Sequence, residues 1–414
     1  MSENQLKKSL GFWDVLLFGI GGMVGAGIYA IIGKAAALGG NMLWMSFLVA
    51  SMVAILTGLS YAEFVSRFPD AGGSFEYLKQ SFGHRVALFM SIFMTFTGFV
   101  AAAAIAISFA EYFTRLVDVP NWIVVIAVIA LMAIFNIIGS KHSSYFNSFA
   151  TIVTILGLGL VVGFSVEDVG SIDLLHLKEG LSINGIVAGA ALIFFSYVGF
   201  EDLVKMAEET NNPRVNLPRA ILFSAVIVLI VYVTIAICSV SVLGAEELAQ
   251  SEGPLAAVIE SKWGSIGSTI LVIVALFATS KTILSNILGT SRLVYDVARD
   301  SDISWLKRFT TLSGIGNTPN YAIFAISLLA VAFGLIGNLK VVASISNIFI
   351  FIVFGMVNAG LIRYRYLHRQ EEDPPPFQVP LRVGNVSVLT VLALLTILVL
   401  FGYNLYNILS GSPG

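Results

Sequence analysis

Two short stretches of the chain combine residue types that could grip a small zwitterion away from water. Residues 19–28, GIGGMVGAGI, place five glycines in nine positions near the middle of an apolar run. Such a run is a poor helix interior. A break there would free backbone amides at the start of the second half of the run to receive a carboxylate, because the first turn of a helix has no preceding turn to bond into. Residues 194–202, FFSYVGFED, bring a serine, a glycine and the adjacent carboxylates Glu201 and Asp202 to similar depth in a later apolar run. Unwound carbonyls of the two runs could receive an ammonium. Both runs also admit plainer uses. The glycines could serve close helix packing, and Glu201 and Asp202 could be hydrated or paired with Lys205 near the end of their segment.

The elements that would hold these stretches are set by composition. The chain has 414 residues, of which 57% are apolar and 12% charged, and its mean hydropathy is +0.89. Soluble domains carry about 25% charged residues. Eleven apolar segments recur, at roughly residues 10–38, 42–66, 86–113, 120–139, 146–165, 183–205, 218–243, 265–298, 320–337, 341–363 and 385–409. Each is long enough to cross a bilayer as a helix. The first continues too far to be a cleaved signal peptide.

With the N-terminus in the cytoplasm, 17 of the 23 Lys and Arg fall in inside connections, Lys7 and Lys8 among them, and four in outside ones. That asymmetry predicts a multi-pass protein of the plasma membrane with a cytoplasmic N-terminus. An odd number of segments then puts the C-terminus outside. The run Pro374, Pro375, Pro376 predicts an extended linker before the last segment, and the other long connections, 166–182, 244–264 and 299–319, are expected to be loops.

A net charge of −2 offers no footprint for nucleic acid. A single cysteine, Cys238, cannot form a disulfide or redox pair within the chain. The four histidines, His84, His142, His176 and His368, lie in connections, so neither a metal site nor a histidine relay is expected in the membrane core. No P-loop or catalytic cluster points to an enzyme.

Interrupted segments five apart are a pointer to inverted-repeat transporters, and at this point the residues resemble a known family, the amino acid-polyamine-organocation transporters. The glycine run at 21–28 is similar to that family's first-helix motif. Residues 61–77, YAEFVSRFPDAGGSFEY, resemble its signature between helices 2 and 3. Residues 194–202, then AEETNNP at 207–213 and LPRA at 217–220, also match. Ser291, Arg292, Tyr295, Ala298, Arg299 and Asp300 fit the inner end of helix 8.

The resemblance implies an all-α polytopic membrane protein of LeuT-type fold, with a 5+5 inverted repeat, discontinuous helices 1 and 6, and about eleven transmembrane helices. The repeats would be residues 1–165 and 183–363, joined by an outer loop at 166–182. A Pro-rich inner linker at 364–384 and a peripheral helix 11 with the C-terminus at 385–414 would follow. Many relatives have a twelfth helix. The amides of Gly25, Ala26 and Gly27 would hold a substrate carboxylate, and carbonyls near Ile20, Gly21, Phe195 and Ser196 its amine. Phe200 would be a gate, and Glu63 and Glu76 would form ion pairs at the gate or in the loop. Ala102, Ala103, Phe200 and Ser285 would line a roomy, mostly apolar pocket, which favours neutral amino acids.

Coupling departs from the family's pattern. Sodium-dependent members hold an ion between helices 1 and 8, and several sodium-independent ones place a helix-5 lysine there. The matching helix-5 position here is the uncharged Thr154, whereas helix 8 carries Lys281. An ammonium from this wall could stand in for the cation. Desolvation penalises its charge, so it could bind and release a proton during the cycle, or remain a fixed structural charge. The expected activity is secondary amino-acid transport, sodium-independent, with a proton as coupling ion and no other cofactor. The partners are a small-molecule amino acid and membrane lipid. An exchanger of cationic amino acids or polyamines, with Glu201 as the substrate's charge partner, is the alternative.

Overall fold

A computed structural model describes residues 10–69, 73–175, 183–300, 304–312, 318–368 and 374–410. Lys7, Lys8, His176 and positions 70–72 of the signature lie outside the described residues.

The chain is almost wholly helical. The helices are α1 (Phe12–Met23), α2 (Ala26–Gly39), α3 (Leu43–Arg67), the short α4 (Gly73–Phe82), α5 (His84–Phe113), α6 (Asn121–Ile138) and α7 (Ser140–Ser165). They continue as α8 (Ile183–Ile193), α9 (Pro213–Gln250), α10 (Pro254–Asp300), α11 (Asn320–Gly334), α12 (Leu339–Leu367) and α13 (Val388–Leu409). Among the described residues, nine helical stretches are long and apolar enough to cross a membrane. One of these, Ala26–Arg67, has 42 residues and turns back at Gly40, where φ is 58°, so it makes two passes. With α11, the eleven expected segments are all present as helices, and α1 completes the first crossing.

Backbone groups in hydrocarbon must be paired within their own segment, which is why runs of this length become helices. Their lipid-facing sides carry large apolar residues, such as Ile152 and Leu156 on α7 and Leu395 and Leu398 on α13. Between helices, buried amides act as polar ties. Asn136 donates to the carbonyl of Leu284 at 3.1 Å, Asn347 to that of Ala191 at 2.8 Å, and Asn404 to that of Ser344 at 2.7 Å.

Two connections differ from expectation, and the sixth crossing is interrupted as the resemblance implies. Residues 244–264 are mostly helical, not a loop. They extend α9 and α10 beyond kinks at Gly244 (φ 76°) and Gly264 (φ 64°), a left-handed backbone that glycine adopts without the Cβ penalty. The sixth crossing leaves the α-helix after Ile193 and proceeds as 3₁₀ turns, Phe194–Tyr197 and Phe200–Glu209, on either side of Val198 and Gly199.

The Pro-rich linker is docked as well as extended. The Val379 amide donates to Glu63 Oε2 at 2.8 Å and the Phe377 amide to Ser66 Oγ at 3.0 Å. A small hairpin, β1 (Arg382–Val383) with β2 (Val386–Ser387), then leads into α13. Glu63 is fully buried and accepts from Arg67 Nη2 at 2.8 Å and from both Nε and Nη2 of Arg365. The linker, α3 and α12 are therefore tied at one carboxylate. Glu76, the second signature carboxylate, pairs with Lys79 at 3.2 Å.

Candidate functional site

The two broken crossings meet at mid-depth, backbone against backbone. A Cβ on Gly199 would sit 2.8 Å from the Gly22 carbonyl oxygen, and one on Gly27 would sit 2.6 Å from Ser196 Cα. The glycines therefore serve both readings of the sequence, since they break the helix and let the two breaks touch.

Polar groups of the break in the first crossing are largely committed to neighbours. Ile20 offers its carbonyl to the Val24 amide at 2.7 Å, closing the last turn of α1, and the Gly25 amide turns back onto Met23 O at 2.8 Å. The Ala26 amide donates to Thr282 Oγ1 of α10 at 3.2 Å. Gly27 is the second residue of α2, so its amide belongs to the turn that has no helical partner. In the sixth crossing, Phe195 and Ser196 lie in the 3₁₀ turn, and the Ser196 hydroxyl is buried with no hydrogen-bond partner among the described residues.

Tyr232 of α9 bridges the breaks. Its hydroxyl lies 2.7 Å from the carbonyl oxygen of Met23 and 3.3 Å from that of Ser196. A buried phenol needs such a partner, and a lone tyrosine inside the apolar run of α9 was the signal that could have found it.

Phe200 is fully buried, with ring centroids 5.5 Å from Tyr61 and 5.2 Å from Phe354. Glu201 folds back to accept the Gly199 amide at 2.7 Å, and Asp202 pairs with Lys205 at 2.5 Å. Ala102 and Ala103 are buried in α5. Ser285, in contrast, is exposed and faces Asn147 toward the end of the molecule that carries Lys205.

Lys281 is 2% exposed. Its Nζ donates to Gly21 O at 2.8 Å, Val24 O at 3.0 Å and Thr151 Oγ1 at 2.9 Å. An ammonium has three donors, and these three oxygens satisfy them. Two of the oxygens belong to the C-terminal end of α1, where the helix dipole presents roughly half a negative charge. The lysine thus stands between the first, fifth and eighth crossings. Thr154 is not the residue that meets it. The Thr154 hydroxyl bonds Ala150 O in its own helix and its carbonyl accepts from Tyr29, while Thr151, nearly one turn away, supplies the contact.

Toward the two ends, ion pairs span the crossings. Lys34 of α2 lies 3.5 Å from Glu111 of α5 at the end opposite Lys205, and Glu63 with Arg365 joins α3 to α12 at the Lys205 end.

The profile of a family described as amino acid permease matches residues 10–410. The chain is 28% identical over 360 residues to an uncharacterised protein of Methanocaldococcus jannaschii, covering 84% of this chain and 80% of that one. It is 26% identical over 418 residues to a branched-chain amino acid permease of Bacillus subtilis, with coverage of 95% and 87%. To a cationic amino acid transporter of Arabidopsis thaliana it is 29% identical over 404 residues, with coverage of 91% and 68%.

Proposed function

The chain belongs to the amino acid permease family, and from that premise we propose a secondary active amino-acid transporter that works by alternating access, independent of sodium and coupled to protons. The substrate's carboxylate would be received by amides at the start of α2, Gly27 foremost, because those of Gly25 and Ala26 already have partners. Its amine would be received by carbonyls of the 3₁₀ turn Phe194–Tyr197. Residues 1–165 and 183–363 would be the two inverted repeats. Contact at Gly22–Gly199 and Gly27–Ser196, with Tyr232 across both and Ser51 of α3 bonded to Tyr197 at 2.5 Å, supports motion of the first, second, sixth and seventh crossings as one body. The Lys34–Glu111 and Glu63–Arg365 pairs would open and close at its two ends.

One observation carries the coupling reading: the Lys281 ammonium is held by three neutral oxygens, with no carboxylate bonded to it among the described residues. An ammonium without an anionic partner in a nearly dry setting is costly to keep charged. It would also occupy oxygens that a sodium ion between these crossings would need. The test is uptake of labelled neutral amino acids into proteoliposomes under an inward proton gradient, with and without sodium, for wild type and Lys281→Ala. Sodium-independent accumulation lost in Lys281→Ala supports the reading. Accumulation that requires sodium, or that survives the substitution, sinks it.

A second reading, exchange of cationic amino acids, draws on the Arabidopsis relative's name and on Glu201, whose carboxylate accepts from the Gly199 amide. Glu201→Gln should then weaken a cationic substrate at least tenfold, about 1.4 kcal/mol, and unchanged affinity would remove it.

A further inference from the structure

The 3₁₀ turn Phe194–Tyr197 is gripped from three other crossings. Tyr197 reaches α3, its hydroxyl 2.5 Å from Ser51 Oγ and 3.3 Å from Phe47 O. The Tyr232 hydroxyl of α9 lies 3.3 Å from the Ser196 carbonyl oxygen. The third grip comes from α12, the tenth crossing. Asn347 Nδ2 donates to Ala191 O at 2.8 Å and to Leu192 O at 3.2 Å. Four residues on, and so on the same helix face, the Phe351 ring lies 4.9 Å from that of Phe194.

Ala191 and Leu192 are among the last four residues of α8, whose carbonyls an α-helix leaves without donors of its own. In a longer α-helix the amides of Phe195 and Ser196 would fill them. A side chain that satisfies them from α12 lets the chain leave the α-helix at this turn without burying bare carbonyls, and so fixes where the 3₁₀ turn begins. Asn347 itself is fully buried, and its Oδ1 has no hydrogen-bond partner among the described residues. A buried acceptor left unmet is costly, and packing against phenylalanine rings asks for no amide. What the amide adds at this position is the pair of bonds from Nδ2.

We infer that Asn347 is a positioning residue for the ammonium end of the substrate, acting through the end of α8 to set the carbonyls of the turn 194–197. The inference rests on the proposed reading that those carbonyls receive the amine. Tyr197 and Tyr232 tie the turn to the second and seventh crossings, which travel with it. Asn347 ties it to the tenth, which lies outside that body. The ammonium site is therefore complete only while the moving body is docked on α12 as it is here, and selectivity for a primary ammonium is a property of the docked arrangement.

Discrimination against N-methylation reads this out. An N-methylated amino acid offers two N–H donors where its parent offers three, and a site with fixed acceptors rejects it. In equilibrium competition on purified protein, a neutral amino acid that wild type accumulates should displace the label at least about tenfold better than its N-methyl derivative. Asn347→Leu, close in volume but without the donor, should lower that ratio roughly fivefold or more by weakening the parent amino acid, with the N-methyl derivative held within about twofold. Asn358→Leu is the control. Asn358 lies on the same face of α12, is equally buried and donates to Thr57 Oγ1 of α3 at 3.3 Å, so its loss removes a comparable bond with no link to the turn and should leave the ratio unchanged. If Asn347→Leu does not fold, Asn347→Ser, too short to span both carbonyls, carries the same test. A ratio within about twofold of wild type in the Asn347 variant, or an equal fall in Asn358→Leu, overturns the positioning role and leaves the amine reading standing. A wild type that accepts the N-methyl derivative as well as the parent overturns the amine reading, and this inference with it.

Discussion

The hydroxyl of Tyr232 donates to the carbonyl of Met23, the last residue of α1, at 2.7 Å, and the Ser196 carbonyl lies 3.3 Å from the same oxygen. One side chain of the seventh crossing thus holds the unwound backbone of the first and the sixth in register. Tyr232→Phe keeps the ring and removes the link between the two carbonyls, leaving Met23 O with the Gly25 amide alone and Ser196 O without this donor. A loss of about 1–3 kcal/mol is expected. Substrate affinity should fall roughly five- to hundredfold, read from equilibrium binding to purified protein, with little change in expression. Wild-type affinity in this variant would mean that the bridge does not shape the site.

Gly199→Ala is expected to be more damaging than its size suggests. The backbone there has φ 133°, and the added methyl would lie 2.8 Å from the Gly22 carbonyl oxygen. Both effects, strain and overpacking, cost on the order of 1–3 kcal/mol each. Thermal unfolding in detergent should shift down clearly, and transport should drop with it. A stable, active Gly199→Ala would show that the two backbones can part here.

At the Lys205 end, Glu63→Ala leaves the buried Arg365 without its carboxylate and the Val379 amide without its acceptor. Breaking a buried pair from one side costs about 3–5 kcal/mol. The expected result is a large fall in the unfolding midpoint, with Glu63→Gln intermediate because an amide oxygen can still accept. Limited proteolysis should then cut first within 374–381, where the linker is tied down by that carboxylate. Cleavage that begins elsewhere would argue that the tie contributes little.

Much of this architecture was legible in the residues. Apolar runs located every crossing because lipid forces long runs into helices, and five clustered glycines located the first break because glycine weakens a helix interior. Lys281 was legible because a charge in an apolar run must find a partner. Its partner on α7 was not. Thr151 and Thr154 are three residues apart, so they share a helix face, and pattern alone does not say which turn meets the lysine. Tyr232 stood out as a lone tyrosine in an apolar run, but its partners are backbone carbonyls, and the sequence does not say which carbonyls a buried phenol meets. The docked linker hid for the same reason, as the Phe377 and Val379 amides would look the same with other side chains. The helical character of 244–264 depended on two left-handed glycines, each unremarkable in a run read as a loop.

The contact of Gly22 with Gly199 also restricts pharmacology. Bare backbone gives that point of the seam no side chain for a compound to grip, so selectivity of a blocker would have to come from side chains around it, such as those of α5 and α12, and resistance would arise in those walls and not in the glycines.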